Sequence, residues 1–367
     1  MIDSNHNQSV VPRPIASDCR SYAALPRFSG QCYIPLMRAG SVVPFVNYLQ
    51  GLRSPADRLP EQLGFTDRTL DNPESLVPIR RVWELLGVAA QLEGLNNIGL
   101  LVGSTTAIEE LGAYGKAILA SSNLYEAINI ASSLLPTQNS GAEMWMEIQA
   151  GVGRLCHRHI ADLQFGRQQA DHLALTFLIQ LLREGAGSTW NPPTVHLETG
   201  ECHDFTASGL PANTAIRFNQ PETSVTFPAS LMNRTLPGQN RRACPTLQRE
   251  VERLTGSAPA TTFIASVEQL IEHLLTSGSP GISRAAEAAG MSVRTFQRRL
   301  AEAGLSYSTA VAKVRLATAE RLLRNRELTL QEIGRRLGYS DHASFTHAFR
   351  HWSGVVPRDY RRGIRRD

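Results

Sequence analysis

The feature that most constrains this 367-residue chain is a pattern written twice near its carboxyl end. Ser283 to Ala289 reads as a short helix, Gly290 as a turn, and Ser292 to Ala303 as a second helix. Gly290 can take the left-handed conformation that closes the preceding helix. Ser292 is a natural N-cap, because its hydroxyl accepts one of the orphan N–H groups of a first turn. The pattern recurs 48 residues later, with Thr329 to Leu337 as the short helix, Gly338 as the turn and Ser340 as the expected N-cap. Phe296 and Leu300 in the first copy, and Phe345 and Phe349 in the second, fall four apart and face inward. The second copy has one extra residue between its turn glycine and its first inward aromatic. A basic helix from Ser308 to Arg324, with Val311, Val314 and Leu322 as inner positions, joins the two helix-turn-helix units.

Charge is distributed to match. The last 87 residues hold 17 of the 37 Lys+Arg and 8 of the 33 Asp+Glu, a formal net charge of +9. The other 280 residues carry −5, so the modest total of +4 conceals a basic module on a slightly acidic one. A cationic helical module suits the dense negative charge of DNA. An α-helix fits the major groove, where each base pair presents a distinct set of donors and acceptors. Two such helices on one face of one duplex turn sit about 34 Å apart, which lets a monomer read adjacent groove segments without a palindrome.

The rest of the chain reads as an ordinary globular protein, 42% apolar and 19% charged. No run approaches a membrane span, and the polar start, Met1 to Gln8, lacks the order of a secretory signal. The five cysteines (Cys19, Cys32, Cys156, Cys202 and Cys244) are scattered and include no Cys-x-x-Cys pair. That argues against a disulfide framework or a zinc finger and for a reducing cytoplasm.

Residues 1–30, with three prolines, read as a flexible tail, 31–240 as a mixed α/β effector-binding and dimerisation domain, 241–260 as a linker, and 261–367 as an all-α DNA-binding domain. Within the first domain, periodicity predicts helices over Val42–Leu52, Leu76–Leu92, Leu111–Ala120, Leu124–Leu134 (stopped by Pro136) and Ala161–Arg183. Pro73 and Glu74 sit where a helix start would place them. Strands are predicted over Glu143–Gln149, Val152–His159, Thr194–Leu197, Ala215–Phe218 and Ser224–Phe227. A short helix is expected over Thr246–Leu254, and another over Ala265–Leu275.

Two clusters could carry chemistry. His157 and His159 would put both rings on one face of a strand, beside Cys156, and His196, Cys202 and His203 form another group. An ordinary polar strand face accounts for them more simply. No phosphate loop, Gly-x-Ser-x-Gly or His-Glu-x-x-His is present. The expectation is no catalysis, no metal and no cofactor. The competing reading is an enzyme or metal-binding sensor with a helical tail that binds nucleic acid nonspecifically.

The carboxyl-terminal residues resemble the DNA-binding domain of the AraC/XylS transcriptional regulators. The resemblance rests on Ser292, Arg294, Phe296, Arg298 and Leu300, on Arg315, Ala319, Leu322 and Leu323, and on Ile333, Gly338, Tyr339, Phe345, Phe349, Gly354, Pro357, Tyr360 and Arg361. Gly334 departs from the alanine usual in the family, at a cost of about 1 kcal/mol in helix propensity. Val356 replaces the usual Ser or Thr. The family places base-edge contacts at exposed early and middle positions of each recognition helix. Here that implies Arg294, Thr295 and Arg298, then Asp341, His342, Thr346 and His347, with Arg299, Ser344, Arg350 and Arg358 on phosphate. Gly99–Gly103, Leu111–Gly115, Trp190-x-Pro192-x-x-Val195 and Arg217-Phe218 leading to Phe227–Leu231 resemble the effector half of the subgroup that includes ornithine-catabolism regulators, with an arabinose-binding-like domain. These are packing and turn residues, so no effector-binding residue is assigned. The implied partners are double-stranded promoter DNA, a small-molecule effector, RNA polymerase and a second copy of the chain, with no membrane.

Overall fold

The computed structural model describes residues 33–363, except 53, 54, 162, 202–204, 206–209, 211, 212, 237–242 and 279. The expected tail therefore lies outside the described residues, as do Cys19, Cys32, Cys202 and His203. The amino-terminal half opens with β1 (Leu36–Arg38), α1 (Val43–Leu52), the single turns α2 (Leu59–Gln62) and α3 (Asp67–Leu70), β2 (Leu76–Pro78) and α4 (Ile79–Glu93). Then come α5 (Ile98–Thr105), α6 (Ala113–Leu119), α7 (Leu124–Gln138), β3 (Ala142–Gln149), β4 (Val152–His159) and α8 (Arg167–Ala186). The sheet is completed by β5 (Thr194–His196), β6 (Ala215–Arg217) and β7 (Thr223–Pro228). This half is mixed α/β and the carboxyl-terminal half is helical, as the sequence predicts.

Five strands pair in the order β3-β4-β7-β5-β6, antiparallel except for β5 with β6. Register sets His157 opposite Met144 and Thr223, and His159 opposite Ala142. Helix α8 packs on this sheet with Leu175, Leu178, Leu181 and Leu182 fully buried, in one core with Ile128, Leu155 and Val225. A second core joins α1 and α4 through Phe45, Leu49, Trp83 and Leu86.

Several predicted elements are corrected. Leu76–Pro78 does not begin a helix. It pairs antiparallel with Leu36–Arg38, and the helix starts only after Pro78, whose backbone is extended. Glu74 is not in a first turn either; its carboxylate meets the buried Arg38 guanidinium at 2.7 Å and accepts the Ala113 N–H. Pro136 does not stop α7, which runs to Gln138. A proline in the last turn forfeits only its own N–H bond, and the Asn139 N–H still reaches the Leu135 carbonyl at 2.7 Å. The helix expected from Ala161 begins at Arg167, after Gly166 in the left-handed region. A Cβ on Gly166 would come within 2.0 Å of the Trp83 carbonyl oxygen, so close backbone approach requires glycine. A 3-10 turn, Ile108–Leu111, precedes α6 where periodicity suggests one continuous helix.

The carboxyl-terminal run is α9 (Ala243–Gly256), α10 (Phe263–Thr276), α11 (Ile282–Ala288), α12 (Val293–Glu302), α13 (Tyr307–Arg324), α14 (Leu330–Arg336), α15 (His342–Ser353) and α16 (Pro357–Gly363). Helix α9 packs on α6 and α7, with Leu254 buried in the core of the amino-terminal half. The first helix-turn-helix unit, α11–α12, shares a core with α10, α13 and, from the other end of the chain, Ile34 and Leu36. The second, α14–α15, has a core of its own with Ala319, Leu323, Ile333 and Leu337.

Candidate nucleic-acid interface

Each unit is built on a buried apolar pair with a capped helix above it. In α12, Phe296 and Leu300 are buried, and the Ser292 hydroxyl accepts the Thr295 N–H at 3.2 Å as expected. Phe296 meets Phe263 and Tyr307 edge-on at centroid distances of 5.9 Å. With those side chains inward, Arg294 and Arg298 project into solvent. Arg298 approaches Glu302, one turn on, at 3.6 Å, and both side chains are about two-thirds exposed (68% and 65%). Such a pair is worth little in water, so the guanidinium is available to a ligand. The Thr295 hydroxyl shares a 2.9 Å hydrogen bond with Ser292. Arg299 is half-buried with its guanidinium 4.2 Å from the Phe263 ring centroid, a cation–π arrangement that draws it toward the protein.

The second unit repeats the construction more firmly. Thr329 and Glu332 cap α14 reciprocally: the Glu332 N–H donates to the Thr329 hydroxyl oxygen at 3.2 Å, and the Thr329 N–H to Glu332 Oε2 at 2.7 Å. Gly338 turns the chain with φ +79, matching Gly290 at φ +70. The N-cap of α15 is Asp341, not Ser340. Asp341 Oδ1 accepts the Ser344 N–H at 2.7 Å and Oδ2 accepts the Ser344 hydroxyl at 2.7 Å. These bonds, the Ser344 N–H first, hold the Asp341 carboxyl below the usual carboxylate range. Both Asp and Ser make good caps, and a carboxylate accepts two hydrogen bonds here where a hydroxyl would accept one. Phe345 and Phe349 are fully buried, and Tyr360 packs edge-on against Phe349 at 5.4 Å. Arg315, from the joining helix, stacks over Tyr339 at 4.7 Å. A Cβ on Gly334 would lie 3.1 Å from the Phe345 Cβ, so the missing alanine methyl matches a close approach of α15.

Of the residues expected to reach DNA, Arg294, Arg298, Asp341, His342, Ser344, His347, Arg350 and Arg358 are exposed. Thr295, Arg299 and Thr346 are half-buried, and the Thr346 hydroxyl is buried with no hydrogen bond among the described residues. Ser292-like caps are legible in sequence. The stacking of Arg299 is not, because Phe263 lies 36 residues away on α10.

The histidine cluster in the other half is buried. His157 and His159 do lie on one face of β4, their rings 4.7 Å apart and nearly perpendicular. Burial pushes His157 down to about 4, with Arg167 adding to the effect, and burial likewise holds His159 well below the usual imidazole value. Cys156 is buried and its thiol is pushed up to about 12 by burial. Among the described residues no three His, Cys, Asp or Glu side chains converge to hold a metal ion.

Paired helix-turn-helix units joined by one helix and attached to a mixed α/β domain define a DNA-binding regulator. Comparison with known proteins specifies the family. Residues 285–363 match the model of a helix-turn-helix domain, and residues 54–236 match the arabinose-binding domain of AraC transcription regulators. The chain belongs to the AraC family of transcription regulators. An uncharacterised HTH-type transcriptional regulator of Mycobacterium tuberculosis is 27% identical over 319 residues, covering 80% of this chain and 87% of that one. The ornithine utilization regulator of Pseudomonas aeruginosa is 26% identical over 296 residues, covering 80% and 86%. The crystal structure of the regulator CdpR from Pseudomonas aeruginosa aligns over 84% of this chain and 96% of that one, at 21% identity and a TM-score of 0.38.

Proposed function

We propose that this regulator lays α12 and α15 into successive major-groove segments of its promoter. Base edges are read by Arg294, Thr295 and Arg298 from α12, and by Asp341, His342, Thr346 and His347 from the start of α15. Arg299, Ser344, Arg350 and Arg358 meet phosphate. The observation that carries this is the exposed, capped face that each unit presents beyond its buried apolar pair. Arg298 and Arg294 are the principal readers, because they are exposed and an arginine can make a bidentate contact to guanine O6 and N7. Asp341 and Thr295 act while holding their caps, so their part is to orient the helix as much as to touch bases. The amino-terminal half receives a small-molecule effector and joins two copies as a homodimer that contacts RNA polymerase. The protein works in the cytoplasm and catalyses nothing; among the described residues no single helix is long and apolar enough to cross a membrane.

Fluorescence anisotropy with a promoter duplex and a scrambled duplex tests the assignment. Arg298→Ala is expected to weaken promoter binding by about 1–3 kcal/mol and scrambled binding far less. Equal losses on both would reduce Arg298 to a phosphate contact. Light scattering at micromolar concentration tests the homodimer; a monomer mass with and without DNA would remove it.

A further inference from the structure

The amino-terminal half contains a cavity of about 140 Å³ between β1, α1, α4, α5, α6, α7, β4 and α8. Its wall is mostly apolar, with Phe45, Trp83, Leu86, Tyr114, Leu135 and Phe177 among the lining side chains. The Tyr114 hydroxyl is already committed to the Ala131 carbonyl at 2.8 Å. A cavity of about this size lined by apolar groups takes up a molecule the size of benzene. No Lys, Arg, Asp or Glu lines it among the described residues.

Among the described residues, the polar lining atoms with an unfilled requirement belong to the histidine pair of β4 and to Gln138, whose Oε1 is buried without a hydrogen-bond partner. His157 and His159 both line the cavity, and His159 packs edge-on against Trp83 at 4.8 Å. His157 Nδ1 is buried and has no hydrogen-bond partner among the described residues. Burial holds this imidazole neutral at pH 7. A buried polar atom without a partner costs free energy that a hydrogen-bonding ligand recovers.

We propose that this cavity is the effector site, and that it takes an uncharged, ring-sized, largely apolar molecule whose single hydroxyl or carbonyl group hydrogen-bonds to His157. The inference rests on the reading of this half as the sensor and adds the chemistry of what it senses. A hydroxyl suits either tautomer of the imidazole, since it both donates and accepts. An ammonium or carboxylate would enter without a counter-ion in the wall, at a steep desolvation cost. The site also has a path to the DNA-binding half. Trp83 belongs to α4, and two residues before it Arg81 meets Glu287 of α11 at 2.8 Å. A ligand that moves α4 moves the seat of the first helix-turn-helix unit.

Calorimetric titration of the full chain at pH 7 with benzyl alcohol, benzoate and benzylamine tests the proposal. Benzyl alcohol is expected to bind saturably, and at least about tenfold more tightly than either ion. His157→Phe keeps the ring but loses the nitrogen, and should weaken benzyl alcohol binding by about tenfold. Ala107→Trp, at the exposed rim of the cavity, should abolish binding in a chain whose core is untouched; it decides the matter should His157→Phe fail to fold by circular dichroism. Equal or tighter binding of an ion, no saturable binding of any probe, or unchanged binding in Ala107→Trp overturns the proposal. Stoichiometric zinc uptake that is lost in His157→Phe overturns it too, in favour of a metal site. Promoter binding measured on the same preparations separates the two readings: a chain that binds its promoter but none of the probes loses this inference and keeps its regulatory function.

Discussion

The Ile34 backbone N–H donates to the Ser266 hydroxyl at 2.9 Å, buried, across 232 residues of sequence. Ile34 and Leu36 lie in the same core as Phe296, so the first helix-turn-helix unit is completed by a segment from the amino-terminal half. Among the described residues, the core of the second unit includes no amino-terminal residue. Further ties join the first unit's side of the molecule to the amino-terminal half: Arg81 to Glu287 at 2.8 Å, and the Thr69 hydroxyl to the Thr276 hydroxyl at 3.0 Å. The first unit is therefore seated on the sensor half, which gives an effector a lever on it.

Ser266→Ala tests that seat. The substitution strands a buried N–H and should destabilise the chain by about 1–3 kcal/mol in urea unfolding. A midpoint that does not move would mean that Ile34 finds another acceptor.

Arg38 is the most heavily bonded buried side chain. Its guanidinium donates to the Thr137 carbonyl at 2.8 Å, to Glu74 Oε2 at 2.7 Å, and to the Leu254 and Ser257 carbonyls at 2.9 and 3.1 Å. Desolvation lowers its pKa, opposed by Glu74, yet arginine stays charged. Arg38→Met should cost about 3–5 kcal/mol, because the partners are left without a cation. Arg38→Lys should rescue little, since an ammonium cannot span both α7 and the end of α9. Full rescue by lysine would make charge, not the planar fork, the stabilising feature.

Phe345→Ala should cost about 3–5 kcal/mol and act locally. Hydrogen exchange is the readout: α14 and α15 should lose protection while α11 and α12 keep it. Uniform loss in both units would show that they unfold together.

Stability should fall between pH 6.5 and about 4. His157, His172 and His273 are each lowered from 6.5 to about 4, burial being the first cause, and His159 is also lowered by burial. Their unfolded forms take up protons below pH 6.5 and their folded forms do not, so acid favours unfolding across that window. Asp171 works in the opposite direction. Burial raises it to about 7, so its folded form holds a proton that the unfolded form has released above pH 3.8. It opposes one histidine among several. Melting temperatures that rise from pH 6.5 to 5 would contradict this balance.

Legibility followed the range of the interactions. The cap at Ser292, the turns at Gly290 and Gly338, and the inward apolar pairs depend on neighbours within a few residues, and they appear where periodicity puts them. The pairing of Leu36–Arg38 with Leu76–Pro78 was illegible, because each strand has three residues and the partners lie about forty apart in sequence. Asp341 displaced Ser340 as cap through hydrogen-bond geometry that two adjacent cap formers leave open. The cavity had no local signature, since its walls come from eight separate helices and strands.

The amino-acid sequence by itself determined the two reading helices, their basic outer faces and the mixed α/β character of the other half, because short-range periodicity and side-chain charge are carried by each segment alone. Tertiary structure decided which buried histidine lacks a partner, where an apolar cavity opens, and that Ile34 completes the first reading unit. Those outcomes depend on how distant surfaces close on one another and exclude water, and no single segment encodes that.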